Sequence, residues 1–279
     1  MLTRILTSLV AICVLVPALI FSGTVAFPVA VGLVTLICLY EIFKCMGLHK
    51  RWALVIPPYL FGLMAPALFR YIEDTVWLGM LCMIAAALYL IYVFALVVWS
   101  HGALPFGNTL AATLMVMYII AALCSILYIR DLEPHGRYLY LLIFIGAWVT
   151  DTFAYFTGFF LGKHKLIEDV SPKKTVEGSI GGIFFCALSF VIFGLVIDTW
   201  FGGNANLLFL GISGVVISLI AQIGDLIMSV IKRHYGIKDY GKIFPGHGGM
   251  LDRFDSILAV SLGLCAVCLF GALTGIRFI

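Results

Sequence analysis

The sequence predicts an all-α, polytopic integral membrane protein, and three observations predict it. Apolar residues fill 63% of the 279 positions and charged residues only 11%, with a mean hydropathy of +1.15. A soluble domain is about a quarter charged, so this chain cannot cover a water-facing surface, and lipid is the solvent for most of it. The apolar residues are gathered into nine stretches, each close to the ~20 residues that a membrane-crossing helix needs. Lysine and arginine are spread unevenly among the loops between them.

The nine stretches lie near 5–22, 24–42, 53–70, 76–99, 109–128, 138–161, 179–197, 207–231 and 256–275. Arg4 before a short apolar core also suits a signal peptide, but no clean small-x-small cleavage site follows, so a retained helix is the expectation. With nine spans and the N-terminus inside, thirteen cations fall on inner loops and four, Arg70, Arg130, Arg137 and Arg277, on the outer side. The positive-inside rule then predicts a cytoplasmic N-terminus and an inner-membrane protein with an external C-terminus. The net charge of +3 leaves no nucleic-acid footprint, so no nucleic-acid partner is expected. Cys265 and Cys268 form a C-x-x-C inside an apolar run, where packing is the simpler reading than a metal or redox site.

The first half, 1–137, has short loops and few polar side chains in its spans, and reads as scaffold. The second, 138–279, carries two polar cytoplasmic loops, 162–178 and 232–255, and reads as the catalytic region. A carboxylate within a span costs about 2.5–3.5 kcal/mol on insertion scales and needs a partner or a purpose. Asp151 interrupts the sixth stretch and Asp225 the eighth. Gln222, Asp225, Ser229 and Lys232 or Arg233 recur at i+3 and i+4 steps and so share one helix face. Interhelical hydrogen bonding is the competing reading for Gln222 and Ser229. Asp225 with two basic residues on the same stripe favours a site.

The loop after that stretch is the richest in chemistry. It holds Lys232, Arg233, Lys238, Lys242 and Arg253 with Asp239, Asp252 and Asp255, and Gly248 and Gly249 beside His247. Cations suit phosphate oxygens, glycines let backbone N–H groups approach an anion, and carboxylates suit Mg²⁺. The combination predicts phosphoryl or nucleotidyl transfer. Asp252 and Asp255 precede the last stretch with capping-like spacing, so Asp252 also suits a helix cap. Lys238 and Lys242 equally suit membrane anchoring, and His247 suits a general base, a phosphate donor or a loop hydrogen bonder, the last two being favoured. In the other loop, Ser171, Lys173, Lys174, Thr175 and Glu177 read as the other wall of the same pocket, against attraction of anionic lipid as the alternative. No G-x-x-x-x-G-K-[ST] loop and no zinc spacing occurs.

Ser229-x-Ile-Lys232-Arg233, followed after four residues by Lys238-Asp239-x-Gly241-x-x-Phe244-Pro245-x-His247-Gly248-Gly249-Met250-x-Asp252-Arg253-Phe254-Asp255, resembles the signature of the CDP-diacylglycerol synthase (phosphatidate cytidylyltransferase) family. Asp151-Thr-Phe-Ala-Tyr155 and Ser171-Pro-Lys-Lys-Thr175-x-Glu177-Gly178 resemble it too, so the match covers about the last 130 residues. The resemblance implies transfer of a cytidylyl group from CTP to phosphatidate, with Mg²⁺ and room for a monovalent cation such as K⁺. It implies Asp225 and Asp252 as principal metal carboxylates, with Asp239, Asp255 and Asp151 as further candidates. Lys232, Arg233, Lys238 and Arg253 would take phosphates collectively. Membrane lipids are expected partners, and a homodimer is compatible with the sequence. A related lipid cytidylyltransferase or a polyprenol-type kinase is the second enzyme reading. A transporter is the alternative from another class, opposed by the clustering of charge at one face.

Overall fold

The computed structural model describes residue 13 and residues 15–279 apart from 73, 247, 277 and 279, and it is helical nearly throughout. Eight helices among the described residues are long and apolar enough to cross a membrane, and they match the second to ninth expected stretches. The first stretch, 5–22, lies mostly outside the described residues, although 15–20 are helical. All eight cysteines are free, and Cys268 is buried, as a packing role requires.

The chain divides into two compact units, one running to Tyr128 and including Tyr235–Arg253, the other comprising Ile129–His234 and everything from Phe254 onward. The first holds α1 (Ala26–Cys45), α2 (Trp52–Tyr71), α3 (Thr75–Trp99) and most of α4 (Phe106–Arg130). Gly62 on α2 lets that helix approach α1 closely, because a Cβ there would lie 2.9 Å from Leu39 and 3.0 Å from Thr35. Proline within α2 has a visible consequence. Pro57 has no N–H to give the carbonyl of Ala53, and the Tyr92 hydroxyl of α3 donates to that carbonyl at 2.8 Å instead. Asp74 caps α3 by accepting from Val76 N and Trp77 N at 2.9 and 3.1 Å. Along α3, Trp77, Met83, Leu88, Ile91 and Val98 stay exposed, an apolar surface suited to lipid.

The second unit holds α5 (Gly136–Leu139), α6 (Leu141–Leu161), a hairpin of β1 (Lys165–Ile167) and β2 (Ser171–Thr175), α7 (Val176–Phe201), α8 (Leu207–His234) and most of α9 (Leu251–Thr274). The hairpin is antiparallel, with Lys165 opposite Thr175 and Ile167 opposite Ser171, where the sequence reading has only a loop. Gly178, Gly181 and Gly182 pack α7 on α6: a Cβ at Gly182 would sit 3.0 Å from the Thr150 carbonyl. Thr150 also donates to Ser218 of α8 at 3.0 Å. Gly214 brings α8 to the backbone of α7 at Ala187, and Gly263 of α9 accepts Ile220 of α8. Helix α8 therefore stands against α6, α7 and α9, and the site is built on it.

Candidate active site

The polar stripe of α8 forms as the 3.6-residue period requires, and burial chooses between its two terminal cations. Gln222 is 7% and Lys232 9% exposed, Asp225 and Ser229 are half-buried, and Arg233 is exposed. Lys232 thus continues the stripe and Arg233 leaves it. Alternation along β2 makes a similar choice. Lys173 points out, whereas Lys174 turns inward and its Nζ meets Asp225 Oδ2 at 2.6 Å. The same Nζ lies 3.5 Å from the Gln222 carbonyl, while the Gln222 amide donates to the Ser179 carbonyl at 3.3 Å. The loop before α7 therefore lies against the polar stripe of α8 at Lys174.

Two more carboxylates complete the group. Asp151 of α6 accepts from the Ser256 hydroxyl of α9 at 2.9 Å. Asp255, one residue earlier on α9, lies within electrostatic reach of Asp225 and Asp151, with Lys232 as the opposing charge. Three carboxylates from three helices thus share a locality with two lysines, Lys174 and Lys232. Like charges so placed in a low dielectric repel, and a cation relieves the repulsion. Among the described residues no three acidic, histidine or cysteine side chains form a ready metal cage. The donors are nevertheless all oxygen, the type Mg²⁺ takes, and that ion normally needs only one or two carboxylates beside water and substrate phosphate. The donor set fits Mg²⁺.

Thr175 and Glu177 also make local bonds where the hairpin meets α7. Thr175 is buried and its side chain accepts from Gly178 N at 3.1 Å, capping α7. Glu177 accepts from Lys163 N at 3.1 Å and pairs with His164 Nδ1 at 2.7 Å, which ties the end of α6 to the start of α7. Ser171 is half-buried at the hairpin turn.

The 235–253 segment belongs to the other unit. Lys238, Asp239, Lys242 and Arg253 are exposed there, and His247 lies outside the described residues. Helix α9 begins at Leu251 and not near 256, so Asp252 and Asp255 lie inside its first turns and do not precede it. Hydropathy reads Asp252, Arg253 and Asp255 as loop, although carboxylates are favoured in a helix's first turn. Asp252 is 6% exposed, and its Oδ2 accepts from Tyr240 N at 2.8 Å and Gly249 N at 2.9 Å. The Gly249 amide, expected to face an anion, is given to this carboxylate. Gly248 has φ of 87°, a left-handed conformation that favours glycine, and a Cβ there would lie 2.8 Å from the same Asp252 oxygen.

One residue escapes the sequence reading. Glu41 of α1 is 2% exposed, and its two oxygens accept from Met250 N at 3.0 Å and Leu251 N at 2.8 Å. It is the one acidic residue in the first five apolar stretches, and the cost of burying a carboxylate is the signal that marks it. Ser256 was likewise unmarked, being a lone hydroxyl beside an acid.

A family model described as "Cytidylyltransferase family" matches residues 2–270. A protein named phosphatidate cytidylyltransferase from Staphylococcus haemolyticus is 33% identical over 258 residues, covering 92% of this chain and 95% of the relative. One of the same name from Bacillus subtilis is 34% identical over 264 residues, covering 92% and 93%. Another from Staphylococcus saprophyticus is 42% identical over 149 residues, 53% of this chain and 56% of the relative.

Proposed function

The chain belongs to the cytidylyltransferase family, and we infer from that premise that it is a multi-pass membrane enzyme that makes CDP-diacylglycerol from CTP and phosphatidate. The observation that carries the reading to a site is the Lys174–Asp225 pair at 2.6 Å, set beside Asp151 and Asp255. A phosphate oxygen of phosphatidate bonds to the α-phosphorus of CTP, and the bond from that phosphorus to the bridging oxygen of the β-phosphate breaks. Pyrophosphate departs. The attacking phosphate is already anionic, so no general base is required, and the protein's task is positioning and charge neutralisation.

Mg²⁺, when bound, supplies charge neutralisation at the transferring phosphates. Asp225 is the first carboxylate proposed to hold it, with Asp151 and Asp255 beside it; the resemblance adds Asp252 and Asp239, and a monovalent cation such as K⁺ belongs to the same proposal. Lys174 meets Asp225 directly, and Lys232 is the cation that opposes Asp255. Arg233, Lys238 and Arg253 are assigned to phosphate oxygens by the resemblance, and Ser229, Lys173 and Lys242 to substrate contact. Loop charge supports a site that faces the cytoplasm, where CTP is found, in an inner membrane that supplies phosphatidate. A homodimer and bound lipids complete the proposal. The polyprenol-kinase and transporter readings are not favoured.

Purified protein given labelled CTP, phosphatidate and Mg²⁺ is expected to form a liponucleotide and pyrophosphate. Water-soluble glycerol phosphate is expected to be a poor acceptor. Absence of liponucleotide, or equal use of both acceptors, overturns the reading. Sidedness is read by Lys242→Cys in a cysteine-depleted chain, which should label only from the cytoplasmic face. Native mass spectrometry reads the dimer and any retained lipid.

A further inference from the structure

We propose that Glu41 is a positioning residue for the reaction, holding the segment that carries Asp252 and Arg253; the proposal rests on the cytidylyltransferase reading above. An exposed helix start satisfies its free N–H groups with water or with a residue immediately before it. Helix α9 takes its partner from α1 instead, 210 residues away in the chain. Glu41 offers one oxygen to Met250 N and the other to Leu251 N, and this two-point grip fixes the rotation of the first turn.

The loop is shaped around that carboxylate. A Cβ on Gly249 would lie 2.6 Å from Glu41 Oε2, and one on Gly241 would lie 2.8 Å from its Cδ. The amide just before the grip, Gly249 N, goes to Asp252, as does Tyr240 N. Amides 249, 250 and 251 therefore all donate inward to two carboxylates. With the amides committed, the direction in which Asp252 and Arg253 leave the loop is set by α1. A misplacement of about 1 Å in such a group lowers turnover by as much as ~10²-fold without removing any group that touches substrate.

The test compares wild type with Glu41→Gln in lipid nanodiscs. Glutamine keeps the size and one acceptor, but sets an N–H₂ against the second amide. The expected result is a kcat about 10- to 100-fold lower, with KM for CTP and for phosphatidate nearly unchanged, the thermal midpoint preserved, and faster hydrogen exchange at Met250 and Leu251. Gly249→Ala should reproduce the defect by displacing the carboxylate. Combined with Glu41→Ala it should add little, because the Cβ then enters vacated space. A kcat for Glu41→Gln within twofold of wild type, unchanged exchange at the two amides, or strictly additive effects of the pair overturns the proposal. If Glu41→Gln does not fold, Gly249→Ala carries the same readings. Wild type without liponucleotide product is failure of the parent reading, and the exchange comparison still decides whether Glu41 holds the loop.

Discussion

Asp225 and Asp252 were expected to do the same job, and the structure gives them different company. Asp225 is half-buried and paired with a lysine side chain at 2.6 Å. Asp252 is buried and held by two backbone amides through one oxygen. A lysine on a flexible stem can give way when a metal or phosphate arrives, whereas backbone amides are fixed by the fold. Two carboxylates of one residue type thus differ in partner type: Asp225 meets a side chain that can move, and Asp252 meets amides that move only with the backbone.

Substitution at both aspartates tests this contrast most directly. Asp225→Asn removes the charge that meets Lys174, and turnover is expected to fall by at least ~10³-fold with the protein still inserted, as measured by liponucleotide formation and size-exclusion profile. Asp252→Asn is a finer instrument. Both of these amides end on one oxygen, so an asparagine carbonyl placed there keeps these two bonds. A fall of about 10²-fold is expected if the charge also serves a metal, read against unchanged exchange at Tyr240 and Gly249. Near-normal turnover would assign Asp252 to architecture alone and make the contrast absolute.

Smaller changes sharpen the same comparison. Lys174→Met strips Asp225 of its partner, and a loss of roughly 10-fold is expected, less than for a single preorganised donor because Lys232 remains. Steady-state kinetics at several Mg²⁺ concentrations checks it; an unchanged rate would mean that the pair is spectator. On the backbone-held side, Tyr235 donates to Asn108 at 3.2 Å where the 235–253 segment begins. Tyr235→Phe should lower stability by about 1 kcal/mol, measured as a small drop in thermal midpoint, the mildest of the four effects.

Much of this was legible in the residues. The helix period placed Gln222, Asp225, Ser229 and Lys232 together, and they are together. The basic 162–178 loop was expected beside them, and Lys174 reaches Asp225. What was not legible has physical causes. A short hairpin with proline in one strand carries no alternation long enough to distinguish it from loop. Hydropathy places the start of α9 too late because it scores charged residues as outside a helix, whereas a first turn favours acids and here has donors satisfied from afar. Glu41 was hidden because one glutamate barely lowers the average of an apolar stretch. Choosing Lys232 over Arg233 for the stripe needed burial, which spacing cannot supply.

The grip of Glu41 on Leu251 also has a consequence in time. A ribosome working at about 5–20 residues per second needs roughly 10–40 s to travel the 210 residues between them. Throughout that interval the first described span, α1, is already made while its carboxylate has no Met250 or Leu251 amide to receive. The two-point bond can close only when the last described span arrives, so it is among the last contacts of α1 to form during synthesis. A nascent chain cut short anywhere before Met250 is left with the Glu41 carboxylate near the end of an apolar helix without these two amides.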